Sequence, residues 1–225
     1  MNFESFALAA ATADLSAEPA ARDHADAVEF RMDLATTALD SIRDYAGSLP
    51  LLVTNRVEWE GGETPESPQR LSALRAAIEM DPVEAVDVEL AAIRDGDAGR
   101  VVDHARAEDV AVVVSVHDFD ETPSRERMRE LLSAAGEHGD VAKLAVTARA
   151  PEDVLDVLAV THAATAEGET VATMAMGEPG RHSRAVAPLY GSRIGYAPVD
   201  PDEATAPGQY DLATLSALVD QLRSE

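Results

Sequence analysis

The sequence predicts an α/β fold of the (β/α)8 TIM-barrel class, organised as a single domain over residues 1–225. Three observations predict it. Eight strand-like apolar runs recur along the chain, segments of helical spacing separate them, and several of the runs alternate apolar with charged residues. Strands alternate in this way when one face meets a helix and the other lines a hollow axis. A barrel of eight βα units takes about 250 residues and can be as short as about 200. Little is left here for insertions. An open doubly wound sheet is the competing topology, but no G-x-G-x-x-G follows the first strand to support it.

The first run starts near Phe6, with Glu4 where a secretory leader would carry basic residues, so it reads as a strand. The second starts near Ala27 and contains V-E-F-R-M-D-L, in which Val28, Phe30 and Met32 take one parity and Glu29, Arg31 and Asp33 the other. The third starts near Pro50 and leads into R-V-E-W-E-G-G; residues 60–68, rich in Gly and Pro, are expected to be irregular. Helical spacing follows over 67–80, with Leu71, Leu74 and Ile78 on one face. In the fourth strand, near Ala85, Val86, Val88 and Leu90 alternate with Asp87 and Glu89. In the fifth, from Ala111, Val112, Val114 and Val116 alternate with Val113, Ser115 and His117. A helix over 124–136 opens on Ser124 as N-cap and closes at Gly136. The sixth strand, near Asp140, reads D-V-A-K-L-A-V, and a helix starts after Pro151. The seventh strand starts at Val171, residues 176–184 are expected to be irregular, the eighth starts near Ser192, and a last helix runs from about Asp211. With helices outside, the polar parity must face the barrel axis. An antiparallel sheet with one wet face gives the same alternation, but the intervening helices argue against it.

Composition removes several function classes. The chain has no cysteine, which excludes disulfides, thiolate metal sites and thiol nucleophiles. Its net charge of −24 repels nucleic acid and anionic lipid. No window approaches the roughly 18 apolar residues of a membrane span, so a soluble, cytoplasmic protein is expected. Of the 18 basic residues only Lys143 is a lysine. A carboxylate-rich surface with almost no ammonium groups suits high ionic strength, where screening removes the self-repulsion of the compact state. A salt-adapted cytoplasm is the expected setting.

Buried charges cost several kcal/mol unless paired, so a lumen carrying Glu29, Arg31, Arg56, Asp87, Glu89, His117 and Lys143 reads as a functional site. Lys143 stands out because it occupies a strand interior. A desolvated lysine beside other cations presents a neutral amine, which attacks carbonyls to form a Schiff base. Pairing with Glu89 is the alternative. His117 lies one βα unit earlier, close enough to meet Lys143 in the lumen and move protons near pH 7. His117, Asp118 and Asp120 do not make a metal site, because successive strand residues diverge, and no metal is expected. Arg31 and Arg56 have inward parity, and Arg184 follows the turn after the seventh strand, where barrels often bind anions. T-A-P-G-Q, residues 205–209, is placed to fold over the barrel mouth and set Gln209 against a ligand.

Taken together, E-F-R-M-D, R-V-E-W-E-G-G, V-D-V-E-L, S-V-H-D-F, V-A-K-L-A-V, M-G-E-P-G-R-H-S-R, Y-G-S and A-P-G-Q, in this order from Glu29 to Gln209, resemble the type I 3-dehydroquinate dehydratases, the Schiff-base enzymes of the shikimate pathway. The acidic, lysine-poor composition suggests a halophilic archaeal member. The resemblance implies that Lys143 forms the imine, His117 shuttles the proton and Glu60 orients His117, although Glu58 competes for that inward position. It places Glu29, Arg31 and Arg56 around the substrate hydroxyls and Arg184 and Gln209 at its carboxylate. Thr205 stands where the family commonly has serine, and the first strand lacks a serine that some members use. The implied reaction is a syn elimination of water from 3-dehydroquinate, with no metal or dissociable cofactor, in a homodimer. A Schiff-base aldolase and a non-catalytic barrel binding an anionic metabolite are the alternatives.

Overall fold

The computed structural model describes residues 1–200, 202, 206 and 208–223. Its strands are β1 (Ala7–Thr12), β2 (Ala27–Arg31), β3 (Leu51–Thr54), β4 (Val83–Glu89), β5 (Ala111–Asp118), β6 (Val141–Thr147), β7 (Val171–Met176) and β8 (Ile194–Pro198). They form one parallel sheet in the order β7-β6-β5-β4-β3-β2-β1-β8. The seam between β7 and β8 closes through the Arg193 N–H, which donates to the Val171 carbonyl at 2.7 Å. There the Thr173 N–H also donates to Ser192 Oγ at 3.0 Å. The result is the eight-stranded parallel barrel that the strand pattern predicts.

Ten helices lie between or after the strands among the described residues: α1 (Glu18–Ala21), α2 (Ala38–Arg43), α3 (Pro68–Ile78), α4 (Leu90–Asp95), α5 (Gly99–Ala107), α6 (Arg125–Gly136), α7 (Pro151–Ala166), α8 (Gly177–Gly180), α9 (Ser183–Val186) and α10 (Leu212–Arg223). Their starts follow capping chemistry. Ser67 Oγ accepts from the Arg70 N–H at 3.2 Å and Ser124 Oγ from the Arg127 N–H at 3.3 Å, satisfying donors that have no intrahelical partner. Pro68 and Pro151 open α3 and α7, where a missing N–H costs nothing.

Residues 176–184 depart from expectation by forming two short helices instead of an irregular loop. Ser183 Oγ accepts from the Ala175 N–H at 2.9 Å and donates to the Ala175 carbonyl, pinning α9 to the end of β7. Tertiary anchoring overrides the Gly and Pro content. In α3 the buried positions are Arg70, Leu74, Ala77 and Ile78, while Leu71 is only half-buried. An arginine takes the place expected for a leucine because the barrel gives it carboxylate partners.

The parity reading holds. Val28, Phe30, Val86, Val88, Val112 and Val114 pack outward against Leu74, Ile78, Met128 and Leu132 of the helices. Each fully buried side chain of this kind contributes roughly 1.5–3 kcal/mol. Inside, Leu52, Ala85, Val113, Val141 and Ile194 fill the lower lumen, and Phe3 packs with this cluster ahead of β1. The upper lumen is left to the polar residues. No helix among the described residues is long and apolar enough to cross a membrane.

Candidate active site

Eight of the nine candidate residues line one cavity: Glu29, Arg31, Arg56, Glu60, His117, Lys143, Arg184 and Gln209. Thr205, the ninth, lies outside the described residues. Adjacent strands deliver them in register, with Arg31 beside Thr54, Thr54 beside Asp87, and Ser115 beside Lys143.

Lys143 is 4% exposed and points into the lumen. Its Nζ donates to Asp87 Oδ2 at 2.9 Å, lies 3.9 Å from Glu29 Oε1, and sits over the Tyr196 ring at 4.1 Å from the centroid. The expected alternative partner, Glu89, is occupied elsewhere: Arg70 Nη1 donates to both its oxygens, at 3.1 and 3.0 Å. Glu89 Oε1 also accepts from the Val57 N–H at 3.1 Å, fixing the start of the segment that carries Glu60.

Asp87 is the electrostatic centre of the lumen. Besides Lys143 it accepts from Arg56 Nη2 and Ser115 Oγ, both at 2.7 Å. Burial alone would raise its pKa, but Arg56 and Lys143 outweigh burial and hold it far below the usual carboxylate range. Arg56 also donates to Ser115 Oγ at 2.7 Å and lies 3.2 Å from Glu89 and 3.6 Å from Glu60. Burial opposes its charge, yet Asp87, Glu89 and Glu60 prevail and raise its pKa. Arg31 forms a two-point pair with Asp33, Nε to Oδ1 at 2.9 Å and Nη2 to Oδ2 at 2.6 Å. Glu29 accepts from Thr54 Oγ1 at 3.0 Å.

His117 Nδ1 lies 2.8 Å from Glu60 Oε1. Glu58 is exposed, so the competition between the two carboxylates resolves to Glu60. The local sequence explains why. After the short 3-10 turn Glu58–Glu60, Gly61 takes a left-handed φ of +80°, and a Cβ there would come 2.5 Å from the Phe119 ring. Phe119 stacks on His117 with centroids 5.9 Å apart. Burial pushes the Glu60 pKa up to about 8, only partly offset by Arg56. Burial, with Arg56 and Lys143 adding to it, holds His117 well below its ordinary value. The contact is a hydrogen bond whose proton Nδ1 and Oε1 share. With that proton on Nδ1 and Glu60 ionised, Nε2 of the neutral imidazole is a free base for proton transfer.

At the opposite wall Arg184, on α9, is buried beside Met174, with Nη1 3.8 Å from the sulfur. Burial lowers its pKa to about 10, so it stays a cation at neutral pH. Gln209 Oε1 accepts from the Ala206 N–H at 3.1 Å. Gly208 has a φ of +76°, and any Cβ there would strike the Gly177 backbone, so glycine lets this loop sit on the β7 turn.

Several residues of the site carried no individual role in the sequence: Asp87 and Ser115, buried partners of Lys143 and Arg56 whose inward parity was visible, and the cavity-lining Phe119, Met174, Met176 and Tyr196, which only folding gathers. Strand parity locates an inward residue; it does not say which carboxylate the lysine will meet.

A closed parallel barrel with an amine, an imidazole and a carboxylate gathered in one lumen defines the class, a β/α-barrel enzyme. A family model described as type I 3-dehydroquinase matches residues 8–224, and the chain belongs to that family. It is 60% identical to the 3-dehydroquinate dehydratase of Haloarcula marismortui, across 100% of both chains. Identity to the enzyme of that name from Halobacterium salinarum is 53%, over 99% of this chain and 100% of the relative. Among solved structures, 3-dehydroquinate dehydratase from Geobacillus kaustophilus HTA426 matches with a TM-score of 0.85 at 28% identity, covering 99% of this chain and 93% of that one. The type I enzyme from Clostridium difficile, solved with covalently modified comenic acid, also gives 0.85, at 25% identity over 97% and 92% of the two chains.

Proposed function

We propose that the protein converts 3-dehydroquinate to 3-dehydroshikimate through an imine on Lys143. The hydro-lyase activity follows from membership of the family; the residue roles rest on the geometry. The observation that carries them is the buried Lys143 ammonium, held by Asp87 at 2.9 Å in the same cavity as an imidazole oriented by Glu60.

In this reading the Lys143 ammonium first sheds a proton, the freed amine adds to the C3 ketone, and the ketone oxygen leaves as water with two of the nitrogen's three original protons, giving a protonated imine. The imine is a cation like the ammonium it replaces, so Asp87 partners both without rearrangement. The electron-deficient imine acidifies C2. His117 Nε2 removes a C2 proton, and the electrons pass to nitrogen as an enamine. They return as the C1 hydroxyl departs, taking from His117 the proton just removed, so one histidine on one face serves a syn elimination. Hydrolysis of the imine frees the product and regenerates Lys143. The imine is the electron sink, and the scheme calls on no metal or dissociable cofactor. Glu29, Arg31 and Arg56 are assigned to the ring hydroxyls and Arg184 and Gln209 to the carboxylate, a reading supported by their lining one cavity, with Arg184 supplying a partly desolvated cation. Thr205 is assigned to the same mouth from its sequence position alone.

The reading also takes the enzyme to be a cytoplasmic homodimer, for which the exposed Leu189 and Tyr190 beside α7 supply apolar surface. Borohydride reduction with 3-dehydroquinate, followed by peptide mass analysis, is the test. We expect an adduct on Lys143, and Lys143→Ala that folds but neither traps nor turns over. Turnover by that variant would refute the scheme.

A further inference from the structure

We infer that Tyr196 is a substrate-recognition residue: its ring carries the Lys143 nitrogen, and its hydroxyl binds the substrate hydroxyl on the carbon next to the ketone. The inference rests on the imine reading above, because it is the imine bond that fixes which substrate atoms lie beside the ring.

Three observations converge on it. Tyr196 stands on β8 with inward parity, in register with Ala9 of β1. The inward positions of β1, Ala9 and Ala11, offer only methyl groups, so this wall of the lumen has room for a large ring. The ring face lies 4.1 Å from Lys143 Nζ, a cation–π arrangement that serves the ammonium and then the iminium equally. Lastly, Tyr196 is 4% exposed, and its hydroxyl has no hydrogen-bond partner among the described residues.

An orphaned hydroxyl in a low-dielectric interior is costly, and a phenylalanine would carry the same ring without that cost. A tyrosine here makes sense when a ligand completes the bond. Burial, with Glu29 and Asp87 nearby, raises the phenol pKa well above its ordinary value, so the group remains a neutral donor and acceptor. Once Nζ is bonded to the ketone carbon, the flanking carbons are the one that loses its proton to His117 and the one that bears a hydroxyl. Only the second presents a polar group, and Glu29, which lines the same cavity within 3.9 Å of Nζ, shares that side of the lumen. A site built to hydrogen-bond a hydroxyl rejects analogues that lack it far more strongly than an apolar pocket would.

The test is Tyr196→Phe in the full-length enzyme at high salt. We expect kcat/KM for 3-dehydroquinate to fall about tenfold, mostly through KM, the size of one buried hydrogen bond. The melting temperature of the unliganded variant should be equal to or higher than that of the parent, since an unpaired buried hydroxyl has gone. Turnover of an analogue lacking the hydroxyl beside the ketone should be unchanged by the substitution. Unchanged kcat/KM for 3-dehydroquinate would overturn the inference, as would a loss matched for the deoxy analogue or accompanied by a lower melting temperature. Borohydride trapping at saturating substrate separates the two claims: an unmodified Lys143 in the parent enzyme defeats the imine reading, whereas normal trapping with parental kcat/KM in the variant defeats only the role of Tyr196.

Discussion

Asp87 Oδ2 lies 2.9 Å from Lys143 Nζ, while its other oxygen accepts from both Arg56 and Ser115 at 2.7 Å. One carboxylate of β4 thus neutralises two buried cations, Lys143 on β6 and Arg56 just past the end of β3. Asp87→Asn should destabilise the protein by about 3–5 kcal/mol, the usual result of removing one partner from a buried ion pair. It should also slow imine formation, since the iminium loses its counter-charge. Denaturant melts and rapid-quench borohydride trapping check the two effects separately, and parental values in both would contradict the assignment.

His117 touches Glu60 and Phe119, whereas the Lys143 amine is held by Asp87. His117→Ala should therefore leave adduct formation largely intact and cut elimination by about 10²–10⁴-fold, the range of general acid–base assistance. Single-turnover kinetics with mass analysis of the trapped species would show substrate adduct accumulating. Failure to trap any adduct would mean that the imidazole serves an earlier step.

The raised pKa of Glu60 makes stability depend on pH. Its carboxyl titrates near 8 when folded against an ordinary 4.5, so the folded protein holds a proton that the unfolded chain has released. That contribution is complete below about pH 4.5 and is lost as pH rises through 8. His117, whose pKa is depressed on folding, opposes this below about pH 6.5, so the net fall of at most about 1.4 kcal/mol per pH unit should appear between about pH 6.5 and 8. Glu60→Gln should flatten the slope. Guanidinium denaturation from pH 5.5 to 9 at constant salt measures it, and identical slopes for parent and variant would count against a protonated Glu60.

With 42 acidic and 18 basic residues, the fold should gain stability from salt. Raising ionic strength from 0.1 to 1 M shortens the screening length from about 10 to about 3 Å. Exposed pairs such as Arg129 with Glu167 weaken under screening, but the excess of like charge weakens more. The melting temperature should climb steadily across a potassium chloride series. A maximum in dilute buffer would remove the case for salt adaptation.

Alternating parity in V-E-F-R-M-D-L, V-D-V-E-L and V-V-V-S-V-H-D was enough to place Glu29, Arg31, Asp87, Glu89, Ser115 and His117 on the axis, because a strand's period of two leaves no other face for them. The same logic placed Lys143. Its partner was not legible: Asp87 and Glu89 have the same parity one residue pair apart, and only barrel tilt and the arrival of Arg70 from α3 give Glu89 to an arginine and Asp87 to the lysine. Glu58 and Glu60 were likewise equivalent in sequence until the turn ending at Gly61 aimed one of them at His117. Tyr196 carried no signal, since nothing local says that its ring will lie under the lysine or that its hydroxyl will go unpaired.

The sequence by itself determined the barrel, the inward set of charges and the single lysine among them, because periodicity and composition are local properties of the chain. Which charge meets which, and therefore which proton is held where, was decided by the tertiary structure. Those contacts join residues 15 to 59 positions apart, and their energies depend on distances and burial that exist only once the sheet has closed.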